Sequence, residues 1–426
     1  MFSPQSLSFR INKESVMSWV VCLSAGLFFF YDFIQLNVMS SIGVSLMQEF
    51  SLSATALGQS ASIYLDAQVI CLLFVGYLLD RVSTRKLILI GMSLLIMSTA
   101  WCAAANSLWM FKCGRAIGGA VGSFCFLSCI VLATRWFSTT QMATVTGVIG
   151  SMAMLGGAMA QRPMDMLVSG YGWRWAMVVN ALFGLLLLVW MYMFVLDAPD
   201  GKQHSRKAEQ LPFFKSIKEV LRCPQNWLAG GYTALMNSVV FVLGAVWGTQ
   251  YLMQVHQLSH AQATNVTMMI FFGTTIGAPL AGAYSDRLGL RRKPMVYGAI
   301  LSLLLILPLM VLNSWSVWSL GVIFFMLGLI TSTQIITYAV IFESNKPSIV
   351  GLCESMAAVI IMGAGSFLQP FFGIVMDMGH VASHITYTTA DYQAAICIFP
   401  ACFILSCVMA LFLRETHCQS KTLNES

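Results

Sequence analysis

Two stretches decide how this chain folds: Gly76-Tyr-Leu-Leu-Asp80-Arg81-Val-Ser-Thr-Arg85-Lys86 and Gly282-Ala-Tyr-Ser-Asp286-Arg287-Leu-Gly-Leu-Arg291-Arg292-Lys293. They are the same phrase written twice, with the two aspartates 206 residues apart. Each copy joins the end of one apolar run to the start of the next. An internal repeat of this length means two copies of one architectural unit.

The surrounding runs say what the unit is. Hydrophobic residues make up 58% of the 426 residues and charged residues 9%, with a mean hydropathy of +0.77. A soluble chain carries about 25% charged residues, so the main solvent here is lipid. That excludes an ordinary cytosolic enzyme, a disordered protein and a nucleic-acid-binding domain. Crossing a bilayer takes about 20 apolar residues in a helix. Twelve segments qualify: 16–41, 57–79, 87–105, 108–134, 143–168, 175–196, 227–253, 263–285, 294–312, 317–341, 349–376 and 392–413. The runs are continuous, without the alternation of barrel strands. The first is too long for a signal-peptide core and lacks a cleavage site, so it reads as a retained span. The 12 cysteines include no CxxC pair and read as small packing residues.

Lysine and arginine set the expected topology. With the N-terminus inside, inner segments hold 19 of the 23, the outer loops hold Lys112 and Arg174, and Arg115 and Arg162 lie within spans. This bias places both termini in the cytoplasm. The stretch 197–226 is first polar and then amphipathic (FFKSIKEVLR), which predicts a cytoplasmic linker ending in a helix at the lipid headgroups. The expected organisation is a six-helix bundle over 1–196, the linker over 197–226 and a second six-helix bundle over 227–426: an all-α membrane protein with pseudo-symmetric halves.

The doubled loop resembles the signature of the major facilitator superfamily. Arg115-Ala-Ile-Gly118-Gly119 in span 4 is similar to that family's R-x-x-x-G element. Ser83 stands where the first loop usually has Gly. Span 5, around Gly147, Gly150, Gly156 and Gly157, lacks the Gly-Pro pair of drug/proton antiporters, which weakens an efflux reading. FFFYDFIQLN in span 1, SMAMLGGAMAQRP in span 5 and the following GWRW resemble the phagosomal nutrient transporters of intracellular bacteria. The resemblance implies a six-plus-six facilitator importing amino acids or nucleosides; the expected setting is a bacterial inner membrane and the expected state a monomer.

The loop phrase has a bland reading as solvated charge flanking a span, and a sharper one as a gate. A carboxylate near a facing helix N-terminus is stabilised by about 0.3–1 kcal/mol. In the gate reading Asp80, Arg81 and Arg85 hold the cytoplasmic side shut, Asp286 and Arg287 form the pseudo-symmetric latch, and Gly76 and Gly282 permit close helix approach. Glu354, near the inner end of span 11, either faces water or joins this gate.

Charges inside the membrane need a partner or a purpose. Asp32 and Asp66 both lie roughly 13 Å deep and Arg115 about 10 Å deep, at 1.5 Å per residue. The expectation is a buried triad: either an ion pair that orients helices, or a proton-coupling site in which a substrate competing for Arg115 leaves a carboxylate to take a proton. Tyr31 and Gln35 sit beside Asp32 on span 1 and are expected to shape a polar face. Arg162 either pairs with Asp165 or clamps a substrate carboxylate. Asn237, Gln334 and Tyr338 are further candidate substrate contacts, and Asn37, Asn180, Gln250 and Gln369 add polarity. The HxxxH pairs His256/His260 and His380/His384 fall in outer loops without a third ligand, so no metal is expected. No Walker loop occurs. The chain is expected to need no cofactor, to have no catalytic residues, and to interact with protons, lipid and a small solute but not with nucleic acid. The expected function is proton-coupled import of a small polar nutrient, an amino acid foremost. The alternatives are a proton antiporter exporting drugs or a siderophore, and a non-transporting receptor.

Overall fold

A computed structural model describes residues 13–79, 82–137, 141–197, 213–311, 315–346, 349–379 and 387–418. Among the described residues every regular element is helical. Span 1 is α1 (Lys13–Asn37) with α2 (Met39–Phe50), span 2 is α3 (Ala54–Leu79) and span 3 is α4 (Thr84–Ala103). Span 4 is α5 (Leu108–Gly122) with α6 (Cys125–Trp136). Span 5 is α7 (Met142–Met159) with α8 (Arg162–Tyr171), and span 6 is α9 (Trp173–Phe194). The amphipathic stretch is α10 (Phe213–Arg222). Span 7 follows as α11 (Pro224–Met236), a π-helical segment Val239–Trp247, and α12 (Gly248–Val255). Spans 8 and 9 are α13 (His260–Leu288) and α14 (Arg292–Val311). Span 10 is α15 (Val317–Thr331), a 3-10 turn Ser332–Ile335, and α16 (Ile336–Ser344). Span 11 is α17 (Val350–Gly379), and span 12 is α18 (Thr389–Ile396) with α19 (Ile398–Phe412).

Among the described residues ten of these stretches are long and apolar enough to cross a membrane. The other two crossings, α3 and α7–α8, are placed by packing: α3 lies against α5 and α17, and α7 against α1 and α13. Both lie on the boundary between the two six-helix lobes. The outward-facing positions are apolar side chains left uncovered, such as Ile70, Leu186 and Trp318, which only a lipid solvent tolerates.

Helix starts are set locally. Ser83, Ser107 and Ser316 each accept a backbone N–H of their own first turn. Ser259 with Gln262, and Thr388 with Asp391, form capping boxes. Each such cap stabilises its helix by about 1 kcal/mol.

Among the described residues six spans are interrupted: span 5 at Ala160–Gln161, span 12 at Cys397, and two related pairs besides. Span 1 breaks at Val38 and span 4 at Ser123–Phe124; their counterparts in the second half, spans 7 and 10, carry the π segment and the 3-10 turn. Irregular backbone at membrane depth survives only where protein or a cavity satisfies it. In the π segment the wider turn exposes carbonyls to side-chain donors: Phe241 accepts from Gln369 Nε2 at 3.0 Å and Gly244 from Gln161 Nε2 at 2.8 Å. The interrupted span 7 therefore contributes polar backbone to the interior.

Candidate functional site at the lobe boundary

The centre of the first lobe holds a buried polar cluster. Asp32 on α1 is fully buried and accepts a hydrogen bond from the Tyr64 hydroxyl on α3 through Oδ1. Its second oxygen, Oδ2, has no partner. Arg115 on α5 lies over the Tyr64 ring, 4.5 Å from the centroid. Its guanidinium donates to the carbonyls of Gln35 and Ala61. Tyr64 thus stands between acid and base, which form no ion pair. The position is where α5 ends: a Cβ on Gly122 would fall on Asp32 Oδ1 and lie 3.1 Å from both Gln68 Nε2 and the Tyr64 hydroxyl. Gln68 is buried, four residues after Tyr64 on the same helix face.

Asp66 departs from the expected triad. It is exposed and accepts from Ser366 on α17 and from Ser62. The cause is azimuth: two residues turn a helix by 200°, so Tyr64 faces α1 and α5 while Asp66 faces the other lobe. Tyr31 likewise departs from the polar face expected beside Asp32. It points into first-lobe packing, where its hydroxyl donates to the Asn180 carbonyl at 3.1 Å and to Thr99 at 3.4 Å. Gln35 lies on Asp32's side of α1, with its side-chain Nε2 buried and unpartnered.

In the second lobe Gln334 Nε2 donates to Asn237 Oδ1 at 2.8 Å, joining the 3-10 turn to the end of α11. Gln334 Oε1 remains unpartnered. Tyr338 and Glu354 are exposed on α16 and α17.

The lobes are tied together on the face opposite the chain termini. Ala54 N donates to the Tyr387 hydroxyl at 2.7 Å and Thr55 N to Asp377 at 3.0 Å. Asp165 is buried and gathers Arg162 and Ser169 from its own helix and His260 and Thr264 from α13. Arg162 is therefore a partner of Asp165 in this cluster. Deeper in, Ser40 bonds Thr249 at 2.9 Å and Gln161 reaches Gly244.

Towards the termini the boundary opens. Gly157 on α7 is in contact with Phe271, but Gly150, two turns away on the same face, and Gly147 meet nothing within 4 Å of a Cβ. Gly58 and Gly373 press α3 and α17 together, while Gly351, six turns from Gly373, faces open space. The crevice is open on the terminal face and closed on the distal one.

Each lobe carries a charge cluster on the terminal face. In the first, Asp197 accepts from Ser83, from Arg85 N at 3.0 Å and from Arg135 at 3.0 Å. Ser83, where the family motif has Gly, thus joins the start of α4 to the end of span 6. Arg85 also donates to the Tyr192 carbonyl. In the second lobe Glu415 accepts from Arg291 N and Arg292 N at 2.6 and 3.0 Å, and Arg291 pairs with Glu343 at 2.7 Å and Asp286 at 2.5 Å. Burial works against the Arg291 charge, but hydrogen bonds to Glu343 and Asp286 outweigh it and raise its pKa above the ordinary arginine value. Arg287 is exposed, and Gly282 faces open space with no helix approaching it, unlike the close contact expected. Gly76 lies near the end of α3; Asp80 and Arg81 lie outside the described residues.

The sequence reading missed Tyr64, Gln161, Asp165 as a hub, Asp377 and Tyr387. One signal for Tyr64 was available: it repeats with Gln68 at helical spacing on a span that also carries Asp66.

The profile of the Major Facilitator Superfamily matches residues 21–352. AraJ of Escherichia coli (strain K12), named as a transporter, is 23% identical over 75% of this chain and 76% of its own length. The gentisate transporter of Corynebacterium glutamicum is 27% identical over 66% of this chain and 64% of its own length. A crystal structure of a D-xylose-proton symporter superposes with a TM-score of 0.72 at 15% identity, covering 94% of this chain and 99% of the other. With its doubled loop, two six-helix lobes and this match over most of its length, the chain belongs to the Major Facilitator Superfamily, a family of membrane transporters and not of enzymes.

Proposed function

We propose that this protein is a proton-coupled importer of a small polar nutrient, working by alternating access between lobes 1–196 and 227–426. The observation that carries the reading is Asp32: a carboxylate buried beside Tyr64 and Arg115 at the broken centre of span 4, with one oxygen unpartnered. An acid held behind a hydroxyl and a guanidinium, beside a helix break, can exchange a proton when the lobes rearrange. Gln35, Asn237 and Gln334 supply amide groups suited to a polar solute. The charge bias puts the open terminal face in the cytoplasm of a bacterial inner membrane. The terminal-face clusters around Asp286 and Arg85, with Asp80, Arg81 and Glu354, would then close the cytoplasmic side in the opposite state. An amino acid is the leading substrate, from the likeness of the span 1 and span 5 phrases to phagosomal nutrient transporters.

A second reading takes an organic acid, as the relative named for gentisate does. It is favoured by Arg115, whose Nε lacks a partner. Radiolabelled uptake into proteoliposomes with an imposed inward proton gradient tests both. Accumulation of an amino acid supports the first and of a carboxylate without an amine the second. Outward movement under the same gradient means an antiporter, and no accumulation of any solute means a receptor.

A further inference from the structure

We propose that the groove between α10, the start of α11 and the end of α19 binds an anionic phospholipid. The groove encloses about 560 Å3, with Leu221, Arg222, Trp227, Phe412 and Arg414 among its lining residues. Its wall is apolar and uncovered: Leu221 is 48%, Trp227 49% and Phe412 71% exposed. Trp227 Nε1 donates to the Leu221 carbonyl at 2.9 Å, so the indole is fixed and has no spare donor. The wall is therefore mainly a surface for hydrocarbon, its one polar side chain, Gln225, being engaged through Oε1 by Arg414 N at 2.9 Å.

The rim is basic. Arg222 and Arg414 are exposed and neither forms an ion pair among the described residues, whereas Arg135, Arg162, Arg174 and Arg291 each do. Lys218, one turn before Arg222 on α10, borders an adjoining hollow of about 470 Å3. The acid of that hollow, Glu219, is already engaged by Lys346 at 3.0 Å. Two guanidinia line one opening, and among the described residues no carboxylate pairs with either. A phosphodiester fits that demand, because a guanidinium binds phosphate oxygens through paired N–H groups.

Position selects a lipid over a free phosphate. α11 begins span 7 at Pro224 and α19 ends span 12 at Phe412, so the arginines stand at headgroup level and the aromatic wall reaches toward the acyl chains. Inorganic phosphate would use the rim and leave the wall bare. The site is on the outer rim of the second lobe and does not depend on the identity of the transported solute.

The test uses the full-length protein in nanodiscs of phosphatidylcholine. Phosphatidylglycerol brominated on its acyl chains is titrated in, and intrinsic fluorescence is read. The chain has 11 tryptophans, so the site's signal is the difference between wild type and Trp227→Phe. That component should be half-quenched at roughly ten-fold lower mole fraction of brominated phosphatidylglycerol than of brominated phosphatidylcholine, the preference expected of clustered basic groups. Arg222→Gln with Arg414→Gln should abolish the preference and leave the phosphatidylcholine quenching unchanged, which also shows that the variant is folded. Millimolar inorganic phosphate should not compete. Equal quenching by the two lipids in wild type, a preference surviving the double variant, competition by inorganic phosphate, or no signal from Trp227 would each overturn the proposal.

Discussion

Thr55 N donates to Asp377 Oδ2 at 3.0 Å, so a carboxylate at the end of α17 in the second lobe caps the first turn of α3 in the first. Tyr387 extends the cap: its hydroxyl donates to Asp377 at 2.6 Å and accepts from Ala54 N at 2.7 Å. The free N–H groups of a helix start need such acceptors; Ser53 Oγ serves Ala56 N at 3.2 Å from within the first lobe, and the acceptors for Ala54 and Thr55 come from the second. An N-terminal cap contributes about 0.5–2 kcal/mol. Asp377→Ala should therefore bias the transporter toward opening its distal face by about 3- to 30-fold. Hydrogen–deuterium exchange at residues 54–57 reads this directly and should quicken by that factor, with α5 unchanged. Unaltered exchange would mean that the cap does not hold the face shut.

On the proposed proton-coupled reading, Asp32→Asn removes the titrating group. A proton moving down 100 mV releases about 2.3 kcal/mol, enough for roughly fifty-fold accumulation. The variant should lose gradient-driven accumulation in proteoliposomes and keep substrate exchange at near wild-type rate. Tyr64→Phe, which strips Asp32 of its donor while keeping the ring under Arg115, should weaken accumulation and shift its pH profile. Loss of exchange along with accumulation in Asp32→Asn would assign Asp32 a folding role instead.

These two sites differ in how far residue order reveals them. The all-helical plan is legible because each crossing needs its own long apolar run, and the doubled loop marks the halves. Asp32 and Arg115 stand out as charges where lipid forbids them. Depth arithmetic then places Asp66 level with Asp32, but depth carries no azimuth, and a 200° turn sends Asp66 to Ser366 and brings Tyr64 to the acid. Tyr31 fails the same way, turned into first-lobe packing against the Asn180 carbonyl and Thr99. The distal cap is invisible for another reason: Thr55 and Asp377 are 322 residues apart, in segments whose polarity any outer loop would show.

Gly122 and Gly150 make a matched pair of probes. A methyl at Gly122 would collide with Asp32 Oδ1, while one at Gly150 would meet nothing within 4 Å. Overpacking of a filled interior costs about 1–3 kcal/mol. Gly122→Ala should lower the melting temperature by several degrees and reduce accumulation. Gly150→Ala should leave both unchanged, since it only lines the open crevice. A thermal melt of each variant in detergent checks the contrast, and equal losses would contradict the open boundary seen here.

Arg291 and Glu343 tie the start of α14 to the end of α16, with side chains only 9% and 8% exposed. Thr416 adds a donor to Glu343 at 2.5 Å and Ser285 accepts from Arg291 at 2.9 Å, so the pair is hydrogen-bonded on both sides. Removing Arg291 leaves Glu343 an uncompensated buried charge and costs about 3–5 kcal/mol, whereas replacing both by apolar residues is often neutral. Arg291→Met should therefore destabilise the protein strongly in a thermal melt, and Arg291→Met with Glu343→Leu should recover most of the loss. The double variant also frees Asp286 from its partner on its own lobe. If Asp286 serves the opposite state as a cytoplasmic latch, that variant should regain stability without regaining transport rate. Recovery of both would reduce the cluster to a fastening between spans 9, 10 and 12, with no part in the cycle.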